Sequence, residues 1–302
     1  MTNPTVSGEM VSSELRPRRS VLYMPSSNER ALEKARDIPT DALIFDLEDA
    51  VAPDAKEAAR RNAVAAASSG DYGQREITIR CNGLDTPWGA DDIAAAAASG
   101  AAAIVIPKVG SSAYLDDVSA RLDAAGAPAT MTVWAMIETP TAIFDIRAIA
   151  GHHRVNVLVM GTNDLAKELR TRTAPGREPL LPHLATAVLG AREAGIAIVD
   201  GVYNDVRDAD GFLREAHQSK LFGFDGKTLV HPSQVEPANE VWAPTDAEVD
   251  FAARLIEAFE AAEAEGRGVI TVDGRMIENL HVDNARRVLA VSAAIATLNG
   301  LG

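Results

Sequence analysis

Short, nearly unbroken apolar runs recur along the chain, each followed by a longer stretch with helical spacing. The runs are Val21–Met24, Ala42–Phe45, Ile77–Arg80, Ala103–Ile106, Thr132–Ile137, Val155–Met160, Ile196–Val199 and Leu221–Phe224. Continuous rather than alternating apolarity marks parallel strands covered on both faces. The intervening stretches, Glu29–Asp37, Ala55–Ala67, Ala90–Ala98, Ala113–Ala124, Ala142–Ile149, Leu181–Ala194 and Asp208–Glu215, are amphipathic or Ala-rich and predict helices. Thr139-Pro140 reads as an N-cap followed by the first helical residue. This alternation predicts an α/β fold, a TIM (β/α)8 barrel over residues 18–235. An open doubly wound sheet would usually carry a glycine-rich turn after its first strand, and Met24-Pro25-Ser26-Ser27-Asn28 has no glycine.

After Pro232 the rhythm stops. Thr245-Asp246-Ala247-Glu248 is a capping box opening a long helix with Val249, Ala252, Ile256 and Phe259 on one face. A turn at Asp273-Gly274 and a last helix from about Glu278 complete a C-terminal helical extension over 236–302. It is expected to pack on a neighbouring subunit. Residues 1–17 are expected to form a disordered tail.

Composition narrows the function. The 302 residues carry 29 Lys+Arg against 43 Asp+Glu, a formal charge of −14, which argues against nucleic acid or an anionic membrane as partner. A lone cysteine, Cys81, excludes an intramolecular disulfide and multi-cysteine metal sites. No run approaches the ~20 apolar residues of a membrane span, and Met1–Glu14 lacks a signal-peptide core. A cytoplasmic enzyme is expected.

Barrel enzymes work at the C-terminal ends of their strands. There the chain places Asp46-Leu47-Glu48-Asp49, Arg80-Cys81-Asn82, Pro107-Lys108, Glu138, Asn163-Asp164, Asp200 and Asp225-Gly226-Lys227. Any one acid could be a helix cap. Asp46, Glu48, Asp49, Glu138 and Asp164 converging on one mouth would repel one another unless a hard divalent cation intervened, and Mg2+ suits one or two carboxylates with water and substrate oxygens. Arg80 could hold a substrate carboxylate or a developing oxyanion, or pair with one of those acids. His152 and His153 fall at the opposite rim as surface residues, and the histidines show no metal-ligand spacing. Cys81 is expected to be buried and inert.

The chain resembles the citrate lyase β-subunit (CitE-like) family of the HpcH/HpaI aldolase superfamily. The resemblance rests on Arg19-Ser20-Val21-Leu22-Tyr23-Met24-Pro25, Asp46-Leu47-Glu48-Asp49-Ala50-Val51, Arg80-Cys81-Asn82, Ile106-Pro107-Lys108, Met136-Ile137-Glu138-Thr139-Pro140, Gly161-Thr162-Asn163-Asp164-Leu165, Gly226-Lys227, His231-Pro232 and Gly274-Arg275-Met276-Ile277. It implies Mg2+ on Glu138 and Asp164, Arg80 on a small keto or hydroxy acid, and Asp46, Glu48 and Asp49 around metal-bound water. Arg19, Lys56 and Pro25, with Arg60, become candidates for CoA contact, although a solvated basic face is the better reading of any one basic residue.

The resemblance further implies a carbon–carbon lyase acting on a malyl-, methylmalyl- or citramalyl-CoA thioester to give an acyl-CoA and a keto acid. Related activities are a citryl-thioester lyase subunit working on an acyl-carrier protein, a malyl-CoA thioesterase or malate synthase, and a non-catalytic CoA-binding subunit. A homotrimer or hexamer is implied, with the extension covering a neighbour's site. The family's proton-transfer acid after Met-Ile is usually Asp; here it is Glu278, one methylene longer, which leaves lyase chemistry or a shift toward thioester hydrolysis open. The catalytic His that follows the strand-two acids in the plain aldolases is replaced by Asp49-Ala50-Val51.

Overall fold

The structure, a computed structural model, describes residues 15–172 and 174–300. The expected tail therefore lies, up to residue 14, outside the described residues. Among the described residues two compact units are present, one spanning Arg18–Trp242 and the other made of residues 243–300 with 15–17.

The first unit is a closed barrel of parallel strands in sequence order: β1 (Ser20–Pro25), β2 (Ala42–Asp46), β3 (Glu76–Arg80), β4 (Ala103–Ile106), β5 (Thr132–Ile137), β6 (Val155–Met160), β7 (Ala197–Asp200) and β8 (Gly226–Leu229). Around it run α1 (Glu29–Lys34), α2 (Lys56–Ser68), α3 (Gly89–Ala97), α4 (Ser112–Ala124), α5 (Pro140–Phe144), α6 (Ile146–Ala150), α7 (Thr162–Glu168), α8 (Leu181–Ala194), α9 (Ala209–Phe222) and α10 (Val235–Trp242). Alternate residues of each strand enter the barrel, where Val21, Ile44, Val105, Trp134, Met136, Val157, Val159 and Val199 form one apolar cluster. The intervening residues, among them Leu22, Phe45, Ile79, Ile104, Leu158 and Ile198, pack against the helices. That two-residue period is what brings Asp46, Arg80 and Glu138 to the barrel axis at its upper end. The lower end holds Arg18, whose Nε and Nη2 donate to Glu76 at 2.7 and 3.0 Å and which lies over the Trp134 ring at 5.4 Å.

The eighth strand departs from the expected Leu221–Phe224. Leu221 and Phe222 end α9, and Gly223 caps it in the left-handed conformation at φ 95. The strand is instead Gly-Lys-Thr-Leu, polar in sequence and fully buried in place. A glycine opens it because a Cβ at position 226 would overlap Arg18 O, on the neighbouring strand's approach. Lys227 and Asp200 also depart from the rim expected of them. Both are 0% exposed and face the helical layer. There Lys227 Nζ donates to Asp200 Oδ2 (2.8 Å) and Glu215 Oε1 (2.7 Å), and Arg177 Nη1 donates to both Asp200 oxygens at 2.8 Å. Burial alone would raise the Asp200 pKa, but Lys227 and Arg177 overturn that and hold it at about 2.

Two smaller departures have local causes. The helix expected over 142–149 breaks at Asp145 into α5 and α6, with Thr139 Oγ1 accepting from Ala142 N at 3.2 Å as the cap. His152 is buried rather than on the surface, its Nε2 lying 3.3 Å from Asp116 Oδ1.

The second unit contains α11 (Asp246–Ala264), the antiparallel pair β9 (Ile270–Val272) and β10 (Arg275–Ile277), and α12 (Asn279–Leu298). The capping box forms: Thr245 Oγ1 accepts from Glu248 N at 3.2 Å, and Glu248 Oε2 accepts from Thr245 N at 2.8 Å. Asp273 and Gly274, at φ 48 and 76, make the turn between β9 and β10, the conformation that favours Asp-Gly. Ala252, Leu255 and Phe259 of α11 close a small core with Ile277, Val282 and Ala285. Among the described residues no helix is long and apolar enough to cross a membrane.

Candidate active site

The upper end of the barrel is built around Arg80. Its Nε and Nη2 each donate to one oxygen of Asp46 at 2.7 Å, a fork made possible because the two residues are partners in the β2–β3 register. Nη1 reaches Glu48 Oε2 at 2.9 Å and Asp49 Oδ2 at 3.5 Å. The guanidinium lies over the ring of Tyr23 from β1, 4.8 Å from its centroid. Burial works against its charge, yet Asp46, Tyr23 and Glu48 outweigh it and hold the Arg80 pKa well above the ordinary value. Arg80 thus pairs with the acids and still presents Nη1 toward an exposed carboxylate, where a substrate oxygen can take over.

Glu138, immediately after β5, is 2% exposed. Its Oε1 accepts from the main-chain N–H of Lys108 at 2.7 Å. Its other oxygen lies against Gly161, at the end of β6, where a Cβ would overlap it. Burial first, then repulsion by Glu48 and Asp164, pushes the Glu138 pKa up to about 7, with the Lys108 N–H pulling the other way. Glu48 is raised by burial too, against the pull of Arg80. Asp164, in the first turn of α7, is half-buried and acts on Glu138 through space. Lys108 Nζ donates to Glu48 Oε1 at 3.2 Å. A buried carboxylate whose ionisation is resisted by two other acids is a site short of positive charge. Its hard oxygen donors fit a cation such as Mg2+. Among the described residues no three or more His, Cys, Asp or Glu are arranged to hold a metal unaided. A Mg2+ that keeps water and takes substrate oxygens needs only one or two carboxylates, and Glu138 and Asp164 are the two that could offer them.

The residues expected to meet CoA divide. Pro25 ends β1 opposite Asp46, at the mouth. Arg19 does not belong there: it precedes β1 at the opposite end of the barrel, 6% exposed, with Nε and Nη2 on the two oxygens of Asp41 at 2.8 and 2.7 Å. Lys56 is a correction as well. Its ammonium is spent on Leu47 O, Glu48 O and Asn82 Oδ1, at 2.7, 2.7 and 2.8 Å, so it braces the strand-two acids instead of meeting phosphate. Arg60 is committed to Asp92 at 2.6 Å. Cys81 is buried, and burial pushes its thiol pKa up. In the second unit, Glu278 is the N-cap of α12 and its main-chain N–H donates to His281 Nδ1 at 3.1 Å.

Tyr23, Lys108 and Gly161 are site residues that the sequence reading did not single out for these roles. Tyr23 could have been found from the two-residue period of β1, since it follows Val21 into the barrel.

Comparison with known proteins identifies the family. Residues 19–232 match the profile of the HpcH/HpaI aldolase/citrate lyase family. A protein of Cereibacter sphaeroides (strain KD131 / KCTC 12085) named (3S)-malyl-CoA thioesterase is 49% identical over 286 residues, covering 95% of this chain and 98% of that protein. The citrate lyase subunit beta of Escherichia coli (strain K12) is 36% identical, over 94% of this chain and 96% of that protein. The crystal structure of CitE from Mycobacterium tuberculosis in complex with magnesium, acetoacetate and coenzyme A superposes with a TM-score of 0.76 at 25% identity, covering 92% of this chain and all of that one. The chain belongs to the HpcH/HpaI aldolase/citrate lyase family.

Proposed function

We propose that this chain is a Mg2+-dependent thioesterase acting on a (3S)-malyl-CoA type thioester. The observation that carries the choice is the end-to-end identity of 49% with a malyl-CoA thioesterase, against 36% with a citrate lyase β-subunit. The barrel mouth suits the substrate, because a hydroxy acid offers oxygens to a cation on Glu138 and Asp164 while Arg80 Nη1 meets a further oxygen. Mg2+, when bound, would polarise substrate oxygens and offset the acyl group's negative charge.

The chain's own residues do the rest. Asp46 fixes the plane of Arg80, with Tyr23 beneath it, so that the charge developing on the thioester oxygen meets a donor already in place. Glu278 is the candidate base, supplied to the mouth from a neighbouring copy. Water attacks the thioester carbonyl carbon as Glu278 takes its proton; the C–S bond then breaks and the proton passes to sulfur, giving the free acid and CoA. A homo-oligomer, cytoplasmic location and CoA as the thiol carrier belong to the same reading.

A second reading, reversible carbon–carbon cleavage, is favoured by one observation: M. tuberculosis CitE was crystallised with magnesium and keto acids, namely acetoacetate, oxaloacetate and pyruvate. Both readings require the metal pair. Purified enzyme should consume malyl-CoA with Mg2+, stop with chelator, and recover when Mg2+ is restored. Consumption that ignores the chelator, or that survives Glu138→Ala, would overturn the metal assignment.

A further inference from the structure

Lys108 follows β4, and the thioesterase reading leaves it without a task. It is one of four non-glycine residues with positive φ among the described residues, at φ 50. A left-handed residue with a side chain is strained and persists where its surroundings hold it. Here the turn achieves two things at once. It aims the main-chain N–H at Glu138 Oε1, and it sends the side chain, 51% exposed, to Glu48 Oε1 at 3.2 Å. Glu48 is thereby held between two cations, with Arg80 Nη1 on its other oxygen at 2.9 Å. Partial burial disfavours the Lys108 ammonium, but Glu48, Glu138 and Asp164 outweigh it and lift its pKa.

We propose that Lys108 is a positioning residue with two parts: its main-chain N–H sets Glu138 for a divalent cation, and its ammonium stands on Glu48 as a placeholder that yields to the metal and then meets the acidic acyl group of the substrate. The inference rests on Glu138 and Asp164 being the metal ligands. It has a signature of opposite signs. The ammonium repels a divalent cation held by the two acids, so it weakens metal binding in the free enzyme. It attracts a substrate carboxylate, so it strengthens substrate binding once the metal is present. Either effect, across a wet mouth, amounts to about three- to tenfold.

Lys108→Met keeps the main-chain N–H and the length of the stem and removes the charge, whereas Lys108→Arg keeps the charge. Mn2+ binding to the substrate-free enzyme, read by electron paramagnetic resonance, should tighten about three- to tenfold in Lys108→Met, while KM for malyl-CoA at saturating Mg2+ rises by a similar factor. Lys108→Arg should restore both. A purely structural role would worsen both quantities or move neither. Unchanged or weaker Mn2+ binding in Lys108→Met, or an unchanged KM, overturns the placeholder. Glu138→Gln separates the two levels of failure: if it binds Mn2+ as well as wild type, the metal reading itself falls, and Lys108 with it. If Glu138→Gln loses Mn2+ while Lys108→Met matches wild type, only the Lys108 inference falls.

Discussion

Gly161→Ala adds one methyl group directly against Glu138, the proposed metal ligand. Gly161 has φ −98 and ψ 73, so an alanine meets no left-handed penalty there. The difficulty is the side chain: a Cβ would overlap both Oε2 and Cβ of Glu138 and lie 3.1 Å from its Cδ. Glu138 cannot simply swing away, being 2% exposed and tied by its 2.7 Å hydrogen bond from Lys108 N. Overpacking of this kind costs about 1–3 kcal/mol. For a unit of this size each kcal/mol lowers the melting temperature by about 2–4 °C. The functional effect should be larger. A carboxylate displaced by about 1 Å loses on the order of 100-fold in rate, and Mn2+ binding should weaken in parallel. The assay is a thermal melt, a Mn2+ titration and kcat/KM for malyl-CoA on the same preparation. A folded Gly161→Ala protein with wild-type Mn2+ affinity and rate would falsify the placement of the metal on Glu138.

Other outcomes follow from the same contacts. The metal-free fold holds a proton on Glu138 up to about pH 7, against the ordinary 4.5. Its stability should therefore fall as pH rises between those values, and Glu138→Gln should be more stable than metal-free wild type at pH 8 by about 2–3 kcal/mol; equal stabilities in denaturant titrations would refute this. Asp200 has the opposite sign: its pKa of about 2 lies below the ordinary 3.8. Its contribution, about 2 kcal/mol, is complete above pH 4 and lost as pH falls toward 2. Asp200→Asn should flatten that acid limb, and at pH 7 should cost about 3–5 kcal/mol by stranding buried Lys227; an unaltered acid limb counts against the network. Glu278→Ala and Arg80→Met should each be inactive, yet regain activity when co-refolded, because one supplies an intact mouth and the other an intact extension. No recovery in the mixed oligomer would remove the shared-site reading.

Much of this architecture is legible before any coordinates, for a physical reason. Strands covered on both faces must be apolar throughout, so β1 to β7 stand out within a residue or two of their observed ends. β8 hides because its burial is ionic. Gly226 and Lys227 look like a loop until Asp200, Arg177 and Glu215 are placed around them. The charged residues at the mouth are similarly legible, since strand ends and the two-residue period put Asp46, Arg80 and Glu138 on one axis. Arg19 and Lys56 mislead because a basic residue does not declare whether its charge is already satisfied. Each is consumed by oxygens of its own chain. Lys108 and Gly161 matter through backbone conformation and the absence of a Cβ, which residue chemistry alone does not advertise.

The most direct measurement of the central claim follows the carbon skeleton of isotopically labelled (3S)-malyl-CoA by NMR, with purified enzyme and Mg2+. Hydrolysis at the mouth predicts labelled malate appearing in step with free CoA, and no reaction with chelator. Labelled acetyl-CoA and glyoxylate as the initial products, without net hydrolysis, would contradict the thioesterase assignment and leave the same site working as a carbon–carbon lyase.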